Sequence, residues 1–185
     1  MLGPNSPIDR NLILTGYVGP DQFAIARRVA ATLRLPLVPF EQRLEDHAGM
    51  PLEDIRVRYG EARIKLLETE LLNEILLYRG AVLHIGGQTL MRSNHLERLA
   101  ATGPVICVVA TLDAVLQRLH LALGARYHDP NERALALGHL RREWSVRGQP
   151  GVHEIDTSYR DDAAIIHAII ACWREAAAVL DWRPV

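Results

Sequence analysis

The sequence predicts a three-layer α/β/α sandwich around a five-stranded parallel sheet, on three observations. Short apolar runs recur along the chain, and they alternate with longer stretches whose apolar residues keep a helical period. One run, Val105 to Val109, is apolar throughout, as a strand buried on both faces must be. Strands and helices that alternate in this way, joined by right-handed crossovers, stack helices on both sides of a parallel sheet.

Taken in order, Leu12, Ile13 and Leu14 form the first strand, and Gly16-Tyr-Val-Gly19-Pro20 turns the chain. Phe23, Ile25, Ala26, Val29, Ala30 and Leu33 then recur at helical spacing. Leu35 to Pro39 makes a short second strand, and Glu41 to His47 a helix that Gly49 and Pro51 end. Helices follow over Pro51 to Tyr59 and Glu61 to Tyr78, the second amphipathic through Ile64, Leu67, Leu71, Leu72 and Ile75 with a solvated charged face. Ala81 to Ile85 is a third strand that stops at Gly86-Gly87-Gln88, and one helix covers Thr89 to Ala101. After the fourth strand, Thr111 and Asp113 cap a helix that reaches Leu121. Gly124 to Asn131 is polar and turn-rich and reads as a mobile flap, within about 122–134. A helix over Glu132 to Arg147, a strand over Val152 to Ile155 and a helix from Asp161 to about Ala177 complete a single domain over 1–185 with its core at about 11–175.

Composition excludes several function classes. With 185 residues and a formal net charge of −1 the chain has no global basic field, so nucleic acid is not an expected partner. No apolar run approaches the ~20 residues that span a bilayer, and Met1 to Arg10 lacks the basic and apolar regions of a secretory signal, so no membrane and a cytoplasmic location are expected. Cys107 and Cys172 read as two buried thiols. The eight histidines show no metal-ligand spacing, so no metal centre is expected. His84, beside Gly86, reads as a core histidine or as one facing a pocket, and no nucleophile elbow supports serine hydrolase chemistry.

The stretch from Asn11 to Leu35 carries the most information. A strand, a short turn and a helix N-terminus make an anion site, because the first helical N–H groups have no intrahelical partner and point at the turn. A phosphate-binding loop of this type ends in Gly-Lys-Ser/Thr, whose ammonium reaches the phosphates and whose hydroxyl holds Mg²⁺. Counted from Gly16, those positions hold Asp21, Gln22 and Phe23. A carboxylate stands where the loop glycine belongs, and neither a cation nor a hydroxyl follows it.

From about Asn11 to Glu175 the order and spacing of landmarks resemble a shikimate kinase, a small P-loop kinase of the nucleoside-monophosphate-kinase-like group. The resemblance implies that Gly16, Gly19, Asp21, Gln22 and Phe23 line the nucleotide loop and that Asp156, in Ile155-Asp-Thr-Ser158, borders the adenine. It places Pro39 and Glu41 on the family's Asp-x-Asp, so the first carboxylate is lost and Glu41 remains as a catalytic acceptor for a substrate hydroxyl. The plainer reading of Glu41 is a helix N-terminal acid favoured by the dipole. Ile64, Lys65 and Glu68 fall on a Phe-Arg pair and a Glu one turn on, so Lys65, the only lysine of the chain, keeps the charge that would hold a substrate carboxylate but loses the bidentate fork. Its plain alternative is an exposed lysine paired with Glu61 or Glu68. Gly86 and Gly87 match the glycine turn that lets backbone approach the substrate, Arg126 the catalytic flap arginine, and Arg142, with Arg141 as an equal candidate, a second substrate arginine.

Three functions stay open on these residues. One is a shikimate-kinase-like pseudokinase that has lost most phosphoryl transfer. The second is a living small-molecule kinase that uses ATP and Mg²⁺ through substitute residues, with Arg27, Arg28 or Arg126 supplying charge. The third is a non-catalytic protein on a kinase scaffold that binds a small acidic or sugar-like ligand or a partner, with Trp144, Trp173 and Trp182 as candidates for a docking face. The assembly expected is a monomer or a homodimer.

Overall fold

A computed structural model describes residues 9–17, 19 and 22–180, apart from the side chains of Gln22 and Leu180. Five strands, β1 (Leu12–Gly16), β2 (Leu37–Pro39), β3 (Val82–His84), β4 (Val105–Val109) and β5 (Val152–Asp156), form one parallel sheet in the order β2-β3-β1-β4-β5. The register pairs Leu14 with His84 on one side and with Ile106 on the other. The carboxyl ends of β1, β3 and β4 therefore open side by side, at the reversal of strand order where such sheets bind ligands.

Alternation along the strands divides the core into two layers. Leu12 and Leu14 point into the layer formed by α1 (Gln22–Leu33) and α8 (Asp162–Leu180), with Ile25, Val29, Ile165 and Ile169. Ile13 points the other way, into a layer built from α2 (Phe40–Ala48), α3 (Leu52–Ile75), α4 (Gly87–Leu90) and α5 (His95–Ala100). All five residues of β4 are buried, as an apolar strand covered on both faces requires. A third cluster sits at the carboxyl ends, where α6 (Leu112–Leu123) and α7 (Pro130–Glu143) enclose Tyr17 with Val115, Leu119 and Leu140.

Several expected boundaries shift. The helix expected over Thr89 to Ala101 is two pieces, α4 and α5, because Ser93 takes a left-handed φ of 48° between them. The two helices expected on either side of Gly60 do meet at a break there, where φ is 77° and ψ is 174°, and α3 ends at Ile75 rather than Tyr78. The polar segment after α6 winds into a 3₁₀ turn over Gly124–His128, and Pro130 starts α7 from the first-turn position where its missing N–H costs nothing. That helix stops at Glu143 and tightens into a 3₁₀ turn at Trp144–Val146, four residues short of expectation. Strand β2 starts at Leu37, two residues late.

Candidate functional site

Strand β1 ends on Gly16, with φ of 100°, packed so closely on β4 that a Cβ would lie 2.1 Å from the Val108 carbonyl oxygen. The next residue, Tyr17, donates its N–H to that oxygen and accepts from the Trp144 indole at 3.0 Å. Its ring is buried beneath α7, edge-on to His139 at 4.9 Å. Val18, Pro20, Asp21 and the Gln22 side chain lie outside the described residues. Phe23 is 40% exposed and meets His84 edge-on, 5.8 Å between ring centres. Arg118, which sequence reasoning missed, runs past Gly19 and hydrogen-bonds the Thr157 hydroxyl and carbonyl after β5. Asp156 lies exposed at the end of β5, where hydrogen bonds from Ser158 hold its carboxyl below the usual carboxylate range.

At the end of β3, two carboxylates take the N–H groups of the glycine turn. Gly86 donates to Glu41 Oε1 at 2.7 Å, and Gly87 donates to Glu143 Oε2 at 2.8 Å. Both carboxylates crowd one point, since a Cβ on Gly86 would meet Glu41 at 2.9 Å and Glu143 at 3.1 Å. Burial pushes Glu41 up to about 7; hydrogen bonds from Gly86 and its own N–H partly oppose the shift, and the nearby Glu143 and Glu68 add to it. Burial raises Glu143 as well, against its Gly87 hydrogen bond and the Arg142 charge. His84, lowered to about 4 by burial, is a neutral imidazole near pH 7.

Beside this turn opens a cavity of about 880 Å³, lined by Lys65, Gln88, Arg92 and Arg142 and rimmed by Glu53, Arg56 and Glu61. The expected pairing of Lys65 with Glu61 or Glu68 does not form. Both glutamates instead hold Arg92, while Arg56 takes Glu53 and Glu61. Glu68 is 4% exposed, close to Thr89, so the charged face of α3 is not wholly solvated. Four cations thus surround the cavity, two of them neutralised by carboxylates. Lys65 and Arg142 have no ion pair among the described residues.

Lys65 and Arg142, rather than Arg141, therefore line the cavity, and Glu41 with Gly86 and Gly87 forms the turn that leads into its Gln88 wall. Arg126 does not join them; it lies exposed in the 3₁₀ turn. Arg28 is tied to Asp162 on the outer face and Arg27 is exposed, so neither faces the cavity. Trp173 is buried with its indole on the Asn11 carbonyl, Trp144 is half-buried against Tyr17, and Trp182 is outside the described residues. Glu143 carried no signal of its own, lying in an Arg-Arg-Glu-Trp run that reads as a solvated helix face. Another cavity, of about 900 Å³ and largely apolar, opens near the amino ends of β4 and β5 between α5 and α8, away from these groups.

The chain and its fold have counterparts among known proteins. The family model of shikimate kinase matches residues 24–173, a stretch that begins just after the loop. A shikimate kinase of Thermus thermophilus is 27% identical over 169 residues, covering 89% of this chain and 91% of that protein. The shikimate kinase of Thermodesulfovibrio yellowstonii is 26% identical over 110 residues, 60% of this chain, and the match spans 64% of that protein's length. A solved Acinetobacter baumannii shikimate kinase in complex with shikimate superposes with a TM-score of 0.67 at 20% identity, covering 88% of this chain and 92% of that one. With a family model that matches most of its length, the chain belongs to the shikimate kinase family.

Proposed function

We propose that the cavity binds a small hydroxylated organic anion of the shikimate type, and that ATP-dependent phosphoryl transfer is lost or strongly reduced. The observation that carries the first half is the pair Lys65 and Arg142, cations without an ion pair among the described residues, both lining the cavity that opens next to the glycine turn held by Glu41. Ionic hydrogen bonds from such cations favour a carboxylate over a neutral ligand.

The second half rests on the loop. Asp21-Gln22-Phe23 offers no ammonium for phosphate oxygens and no hydroxyl for a metal, and the Phe23 ring packs on His84. Phosphoryl transfer depends on positioning and charge neutralisation. Removing one such stabiliser typically costs ~10²–10³-fold, and losses within one site are not additive. The residues present do not fit a magnesium nucleotide in the usual manner. One observation favours a living kinase: Arg118 reaches along Gly19 and places a cation next to the loop, although its guanidinium is engaged by Thr157.

The test is a thermal shift with shikimate, ATP and ADP, each with and without Mg²⁺, followed by a coupled assay for ADP release. Shikimate raises Tm, because a ligand that binds only the native state stabilises it. Nucleotide leaves Tm unchanged, and no shikimate-dependent ADP release follows. Release above background that disappears in Arg118→Ala would establish the living kinase instead.

A further inference from the structure

We infer that Glu143 is a positioning residue, a clasp between the glycine turn and the end of α7 that sets Arg142 over the cavity. The inference rests on the cavity reading given above. Glu143 grips Gly87 twice. Its carboxylate accepts the Gly87 N–H at 2.8 Å. Its backbone presses on the same residue, so closely that a Cβ at Gly87 would lie 2.0 Å from the Glu143 carbonyl oxygen. The neighbours on either side act at the site: Arg142 lines the cavity, and Trp144 donates its indole N–H to the Tyr17 carbonyl. Three consecutive residues therefore tie α7 to the ends of β3 and β1 and to the cavity, with Glu143 as the central tie.

Elsewhere α7 is held by apolar packing, with Leu140 buried and Ala136 and Leu137 half-buried against the Tyr17 cluster, which does not fix the direction of Arg142. An arginine side chain has many rotamers, and fixing its backbone removes part of the entropy that an anion would otherwise have to recover on binding. Charge alone predicts the opposite effect from position. A carboxylate next to Arg142 weakens the local positive potential, so deleting it should tighten anion binding if Glu143 acts only through its charge.

The experiment is calorimetric titration of shikimate into wild type, Glu143→Ala, Glu143→Gln, Arg142→Ala and the Arg142→Ala/Glu143→Ala double variant. A positioning role predicts that Glu143→Ala weakens binding about tenfold, while Glu143→Gln, which keeps an acceptor for Gly87, stays within about twofold of wild type. In the Arg142→Ala background the second change costs nothing further. Equal tightening in both Glu143 variants, or the same loss with and without Arg142, overturns the inference and leaves the cavity reading standing. Wild type that binds no shikimate overturns both.

Discussion

The two ends of the sheet treat buried polarity in opposite ways. At the amino ends, Asn11 has no exposed surface and uses its whole amide: its Nδ2 donates to the Tyr78 carbonyl at 2.8 Å and to Thr102 Oγ1 at 3.1 Å, and its Oδ1 accepts from the Ala81 N–H at 3.0 Å. One neutral side chain joins the segments entering β1, β3 and β4, and every group is matched. At the carboxyl ends, two carboxylates converge on one glycine, a histidine is held neutral, and two cations line a cavity without an ion pair among the described residues. Thr15, on β1 near that end, carries the one buried side-chain polar atom without a partner among the described residues. Satisfied polar networks fix a structure, whereas groups held away from their ordinary protonation state mark places where chemistry or binding is done.

Breaking the amino end should cost the most stability and leave the ligand alone. Asn11→Ala strands the Ala81 N–H and removes one of two hydrogen bonds at the Tyr78 carbonyl and at the Thr102 hydroxyl, which keep Arg79 and the Leu99 carbonyl, and should lower the unfolding free energy by about 3 kcal/mol, measured by urea denaturation, with shikimate affinity per folded molecule unchanged. A parallel loss of affinity would show that the two ends are coupled.

Acid–base titration should expose the carboxyl end. Folded Glu41 keeps its proton up to about pH 7, whereas the unfolded chain releases it near 4.5. The folded state then binds more protons between these values. Its contribution is full below about 4.5 and is lost as the pH rises through about 7. For a half-buried group the expected decline is about 2 kcal/mol. Glu41→Gln should flatten this part of the stability profile, and a wild-type profile that rises with pH over the window would contradict the assignment.

Smaller effects refine the contrast. Lys65 is exposed and has no ion pair among the described residues, so Lys65→Ala should weaken shikimate binding about tenfold, or about 1.4 kcal/mol, with little change in stability. Arg126→Ala, at an exposed position of the 3₁₀ turn, should alter stability by less than about 0.5 kcal/mol and leave shikimate affinity unchanged; a tenfold loss would put the turn back in the site.

The layers were legible because period-2 and period-3.6 patterns record which face is buried: Ile13 and Leu14 report opposite layers, and Val105 to Val109 report both. The meeting of Lys65 and Arg142 at the cavity was legible only through the order of landmarks along the chain. What stayed hidden were contacts between residues far apart in sequence. Arg92, in the turn after α4, takes Glu61 and Glu68 of α3 and so draws both away from Lys65, and Glu143 finds Gly87 across 56 positions. Local pattern cannot distinguish a charge that will be neutralised from one that will not. The break between α4 and α5 was equally silent, because Ser93 adopts a conformation that its residue type does not demand.

The close approach of Gly16 to Val108 bears on how such chains change over evolutionary time. Its glycine is required by the sheet itself, as Gly87 is by the backbone of α7, whether or not a nucleotide ever visits. A lineage under pressure only to fold would preserve both glycines while its lysine and hydroxyl drifted away. Glycine spacing is therefore a record of architecture inherited, and a survey that infers activity from it would count retired enzymes among the working ones.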